Sequence, residues 1–70
     1  MSPLTEVILA TIREHLYLAV TMSEVAGPDG SPVWRAEAHN AAGETWAAEH
    51  EEEYMAAVML AELVGMELEE

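Results

Sequence analysis

The stretch Val33-Trp34-Arg35-Ala36-Glu37-Ala38-His39-Asn40-Ala41-Ala42-Gly43-Glu44-Thr45-Trp46-Ala47-Ala48-Glu49-His50 decides the fold. Asn40-Ala41-Ala42-Gly43 has Asn at the first position of a turn and Gly at the fourth. That pattern suits a type I turn whose Gly takes the left-handed conformation in a G1 bulge. The turn predicts a hairpin in which Asn40 faces Glu44, Ala38 faces Trp46, Ala36 faces Ala48 and Trp34 faces His50. One face then reads Trp34, Ala36, Ala38, Trp46 and Ala48, with small residues leaving room for the indoles. The other reads Arg35, Glu37, His39, Thr45, Ala47 and Glu49, and places Arg35 across from Glu49. A single register thus supplies both an apolar face and a charge pair.

Towards the N-terminus, Leu16, Leu18, Val20 and Met22 alternate with Tyr17, Ala19, Thr21 and Ser23, the period-two pattern of a half-buried strand. Gly27-Pro28-Asp29-Gly30-Ser31-Pro32 separates that strand from the hairpin as a turn. Further back, Ser2-Pro3 reads as a helix cap followed by Pro at the first helical position. From Leu4 to Leu16 the residues Leu4, Ile8, Ile12 and Leu16 recur every four positions with Val7 and Leu9 beside them, which predicts a helix with one buried stripe, although Val7-Ile8-Leu9 also suits a strand start. Beyond the hairpin, Glu51-Glu52-Glu53 leads into a second helix over Tyr54–Val64. Its expected buried face is Ala56, Met59, Leu60 and Leu63, with Met55 and Val64 at the edges. Gly65 suits the position after the helix, with Met66 folding back as the accompanying contact, and Glu67-Leu68-Glu69-Glu70 is expected to fray. The sum is a single α+β domain over residues 1–70. It has a three-stranded antiparallel sheet with an N-terminal helix and a C-terminal helix packed on one face, and a wet, acidic opposite face.

Composition limits what such a domain does. Fourteen acidic residues stand against two arginines and no lysine, a formal charge of −12, while 51% of residues are hydrophobic. That apolar content sets the chain apart from charged disordered tails. Direct nucleic-acid binding needs clustered Lys and Arg, and an anionic membrane surface repels such a chain for the same reason. The chain has no Cys, which excludes a disulfide framework and thiolate metal sites. No apolar run is long enough to span a bilayer, and the start of the chain has no basic, signal-like region. The one plausible metal-ligand set is Glu37, His39, Glu49 and His50, and the hairpin register turns His50 to the opposite face from the rest. The string His50-Glu51-Glu52-Glu53 lacks the second His of a metalloprotease helix. No nucleophile elbow, phosphate loop or pair of carboxylates in contrasting environments is evident. The expectation is a non-enzymatic chain with no catalytic residue, cofactor or metal.

The acids are unevenly distributed. Residues 1–36 hold four acids and both arginines, a formal −2, and residues 37–70 hold ten acids and no basic residue, a formal −10. Acids at a helix start stabilise its dipole, and acidic surfaces aid solubility. A solvated face is ordinarily mixed in sign, however, and self-repulsion at −12 works against a compact state this small. The charge therefore points to an acidic interaction surface that meets Lys and Arg on a nucleic-acid-binding protein, with Tyr17, Tyr54, Met55 or Leu68 available as an apolar anchor.

In size, acidity and α+β layout the chain resembles the small phage-encoded anti-CRISPR inhibitors, several of which mimic DNA. The residues carrying the resemblance are Glu37, Glu44, Glu49, Glu51, Glu52, Glu53, Glu67, Glu69 and Glu70. It implies an inhibitor in the cytoplasm of a bacterial host that binds a basic nucleic-acid-binding complex, a type I CRISPR effector, and blocks its access to target DNA. Residues 16–65, with Trp34 and Ala56-Ala57 followed by Leu60-Ala61-Glu62-Leu63, are also similar to a shortened HicB-type antitoxin that neutralises a basic RNase toxin. A third arrangement is a structural homodimer joined through an exposed sheet edge.

Overall fold

The computed structural model describes residues 2–65. The order of elements is α1 (Pro3–Leu16), β1 (Ala19–Ala26), β2 (Pro32–His39), β3 (Thr45–His50) and α2 (Glu53–Leu63). The strands form one antiparallel sheet in the order β1-β2-β3. Both helices pack on the same side of it, α2 over β2 and β3 and α1 beside α2 and β1. The α+β architecture expected from the sequence is the one observed.

The hairpin forms in the expected register, with Ala38 opposite Trp46, Ala36 opposite Ala48 and Trp34 opposite His50. Gly43 adopts φ +91, and its N–H donates to the Asn40 carbonyl at 3.2 Å. The Asn40 side chain clamps the turn further. Its Oδ1 accepts from the Glu44 N–H at 2.8 Å, and its Nδ2 donates to Glu44 Oε1 at 2.9 Å. Ala36, Ala38 and Ala48 are buried on the helix side, flanked by the half-buried Trp34 and Trp46.

β1 pairs with β2 so that Val20 faces Ala38 and Met22 faces Ala36, which puts Leu18, Val20 and Met22 on the core side. The β1–β2 turn is tied by Asp29, whose carboxylate accepts from the Ser31 N–H at 3.0 Å. That hydrogen bond holds the Asp29 carboxyl below its ordinary pKa of 3.8.

α1 begins as read: Pro3 follows the cap Ser2, whose Oγ accepts from the Thr5 N–H at 3.2 Å. Its buried stripe differs from the expected one. Thr5, Ile8, Leu9 and Ile12 are buried, whereas Leu4 is 67% exposed and Leu16 is also exposed. Four residues advance a helix slightly more than one turn, so an every-four ridge drifts off the core at both ends. The chain leaves α1 through Tyr17, a non-glycine residue at φ 54 whose side chain is exposed.

α2 is rotated relative to expectation. Ala56, Ala57, Leu60 and Ala61 are buried, while Met59 and Leu63 are exposed. The alanines of α2 meet a sheet face that is itself built of alanines, so small residues allow close approach. With α1 covering a second flank, positions 57 and 61 are enclosed as well. Met59 and Leu63 are left facing outward. Gly65 follows the helix at φ +83, and its N–H donates to the Glu62 carbonyl at 3.1 Å, as its position suggests. The expected contact by Met66 and the fraying of residues 67–70 lie outside the described residues. Among the described residues no helix is long and apolar enough to cross a membrane.

Candidate acidic interaction surface

The open face of the sheet carries Arg35, Glu37 and Glu49 at its centre. Glu37 lies two residues from Arg35 on β2 and so shares its face, and Glu49 is the cross-strand partner of Arg35 on β3. Arg35 Nε donates to Glu37 Oε1 at 2.8 Å, and Nη1 donates to Glu49 Oε2 at 2.8 Å. His39 adds Nε2 at 3.6 Å from Glu37 Oε2, and its Nδ1 lies 3.3 Å from Thr45 Oγ1. The bonds to Glu37 and then to Glu49 raise the Arg35 pKa still further, so the guanidinium is a permanent cation here.

Around this trio the face holds Ala19, Thr21, Ser23, Val25, Val33 and Ala47. Its formal charge is therefore −1 with His39 neutral, from two carboxylates and one guanidinium. The face is open to solvent as expected, but it is not strongly acidic. The expected charge on it is offset by a cation that the sequence itself supplies.

The remaining expected acids within the described residues lie at the two ends of β3. Glu44 sits at the hairpin turn, bonded to Asn40. Glu51, Glu52 and Glu53 lie at the opposite end, between β3 and α2. Glu53 Oε1 accepts from the Ser2 N–H at 2.9 Å and joins the starts of the two helices. Glu52 is the α2 cap residue without a side-chain capping bond, and its N–H donates to His50 Nδ1 at 2.9 Å. That bond makes Nδ1 an acceptor and places the ring proton on Nε2. The side chains of Glu51 and Glu52 are exposed, and no partner holds either of them among the described residues. Glu67, Glu69 and Glu70 lie outside the described residues.

A hollow of about 530 Å³ lies beside this end of the sheet, lined by Pro28, Val33, Glu49, His50 and Glu51. Pro28 and Val33 provide an apolar floor and the two carboxylates an anionic rim. That combination suits the methylene stem and charged head of an Arg or Lys side chain. Pro28 and Val33 were not among the expected site residues, since their meeting with Glu51 depends on the sheet bringing the β1–β2 turn beside the end of β3. Of the expected apolar anchors, Tyr17 and Tyr54 are exposed, Met55 is half-buried, and Leu68 lies outside the described residues. Among the described residues no group of three His, Asp or Glu side chains is placed to hold a metal ion.

No protein-family model, no curated protein and no solved structure matches this chain.

Proposed function

We propose that the protein is a non-enzymatic inhibitor whose acidic surface occupies a basic nucleic-acid-binding surface, in the manner of the anti-CRISPR DNA mimics, with a type I CRISPR complex in the bacterial cytoplasm as its partner. The observation that carries the reading is the pair Glu51 and Glu52, exposed and without a side-chain partner among the described residues, in a chain of formal charge −12 without a lysine. Beside the adjoining hollow they offer carboxylates to Arg and Lys side chains that would otherwise hold phosphates. Such a contact is electrostatically steered and weakens with salt.

The test is target-DNA binding by a purified type I complex with this protein added. Binding of DNA is expected to fall at low salt, to recover at high salt, and to be unaffected by the double variant Glu51→Lys/Glu52→Lys. Glu53 is left intact because it ties the two helix starts together. Undiminished DNA binding at low salt, or full inhibition by the folded double variant, overturns the reading.

The HicB-type antitoxin is the second reading, favoured by the run of three strands and a helix over β1 to α2. It keeps the same acidic chemistry but requires a small basic RNase toxin, whose inhibition by this protein in place of the CRISPR complex would select it.

A further inference from the structure

The two edges of the sheet are not equivalent. Hydrogen bonding in an antiparallel pair alternates along the strand. The Asn40 N–H donates to the Glu44 carbonyl at 3.1 Å, which makes that pair a bonded one. By alternation Trp46, Ala48 and His50 bond to β2, while Thr45, Ala47 and Glu49 turn their N–H and C=O groups to the free edge of β3. At the other side, the Gly27 N–H donates to the Ser31 carbonyl at 2.7 Å. Val20, Met22 and Glu24 therefore carry the outward groups of β1.

The β1 edge is guarded. Arg13 Nη2 of α1 donates to the outward Val20 carbonyl at 3.4 Å, beside a hollow that Glu6, Leu9 and Ala10 also line. Among the described residues no side chain bonds the outward N–H and C=O groups of the β3 edge in this way. It carries no Pro or Lys and no bulge, the usual means of blunting an edge. Its one charged residue, Glu49, is held by Arg35. Beside it, on the helix side, runs a groove of about 390 Å³ lined by Ala47, Ala48, Glu49, Met59, Glu62 and Leu63. Leu63 there is 53% exposed.

We propose that the β3 edge joins a second copy of this chain, the two β3 strands running antiparallel about a twofold axis through Ala47, to form a continuous six-stranded sheet. The inference goes beyond the inhibitor reading and does not rest on it. The strand is self-complementary in this register. Ala47 meets Ala47 of the second copy as a bonded pair, and small side chains stand at the axis. Thr45 stands opposite Glu49 of the second copy, so a hydroxyl meets a carboxylate and no like charges are directly opposed. On the helix side the large Trp46 stands opposite the small Ala48. The axis also brings the Met59 and Leu63 stripes of the two α2 helices towards one another, closing the groove on apolar side chains. Against association stand Glu62 at the groove rim and a formal −12 on each copy. Salt screens that repulsion, so this dimer tightens with salt whereas contact with a basic partner weakens.

The chain has no cysteine, so a single introduced thiol reports its own contact. In a bonded antiparallel pair the Cα atoms lie about 5.5 Å apart, within the span a disulfide bridges. Ala47→Cys is expected to form a disulfide-linked dimer under mild oxidation at least tenfold faster than Ser23→Cys, which sits exposed on the opposite edge strand. In sedimentation the unaltered chain is expected to show a dimer fraction that rises with protein and salt concentration. Two further variants are expected to be folded monomers by circular dichroism. Ala47→Pro removes an N–H that only the second copy uses. Thr45→Glu opposes two carboxylates in the dimer, but faces only His39 within its own chain. A monomer at every salt concentration, equal cross-linking of the two cysteine variants, or a dimer that survives both folded variants overturns the proposal.

Discussion

Arg35 on β2 and Glu49 on β3 oppose each other across the sheet with Nη1 2.8 Å from Oε2, and the same guanidinium holds Glu37 through Nε. One cation thus engages two of the acids on the open face. The consequence for function is spatial. Of the acids expected to form the interaction surface, those whose carboxylates have no partner among the described residues are Glu51 and Glu52, beyond the end of β3 rather than on the broad face of the sheet.

Replacing Arg35 by Met keeps much of the side chain's apolar stem and removes the cation. Glu37 and Glu49 then repel each other across the strands and the formal charge moves from −12 to −13. The variant is expected to melt at a lower temperature than the parent, with the gap narrowing as salt is added, since exposed pairs are screened. Thermal melts at low and high salt check this, and a gap independent of salt would mean that lost packing rather than charge is responsible.

The hairpin turn supplies a second test. A Cβ added to Gly43 meets no atom within 4 Å, yet the residue sits at φ +91. The cost of Gly43→Ala is therefore that of the local backbone conformation, about 1–2 kcal/mol, with no clash against residues beyond its chain neighbours. Urea unfolding should show a lower midpoint at unchanged slope. An unaltered midpoint would mean that the turn relaxes to another type without loss.

The turn was legible because its chemistry is local: Asn and Gly at fixed offsets set the register, and period two sorted the residues onto faces. The ion pair of Arg35 with Glu49 followed from that register. The buried sides of the helices were less accessible. On α1 the every-four reading ignored the drift that exposes Leu4 and Leu16. On α2 the buried side depends on where α1 lies, and nothing within Glu53–Leu63 encodes that. The acids were countable in the sequence, but their partners were not all local. Glu53 is tied to the Ser2 N–H across a separation of 51 residues, and Glu37 takes the Arg35 Nε by a side-chain choice within one strand.

Among the described residues six of the twelve buried hydrophobic ones are alanines, so the core depends heavily on its few large members, of which Leu60 and Ile12 are the largest fully enclosed apolar side chains. Leu60→Ala is expected to cost roughly 2–5 kcal/mol. Domains of this size hold on the order of 0.05–0.15 kcal/mol per residue, so that loss takes much or all of the total. The expected result is a chain largely unfolded by circular dichroism at 37 °C. Leu63→Ala, on the exposed flank of the same helix, is expected to stay folded, and equal losses from the two would contradict the observed orientation of α2.

Self-repulsion makes the opposite outcome, a stabilising surface substitution, equally specific. Glu14 is exposed in the last turn of α1, where the helix dipole presents its negative end to a negative side chain. Glu14→Lys removes an unfavourable contact, adds a favourable one, and moves the formal charge from −12 to −10. The gain is expected to be roughly 0.3–1 kcal/mol or somewhat more at low salt. It should shrink once the Debye length falls below about 10 Å near 0.1 M salt. The parent itself should melt higher as salt is added, because the repulsion being screened belongs to the whole chain. Urea titrations of both proteins, at concentrations low enough to keep them monomeric, separate these effects from association. A parent whose stability ignores salt would show that its carboxylates are too far apart to feel one another, and the gain from Glu14→Lys would then reduce to the helix-end contribution alone.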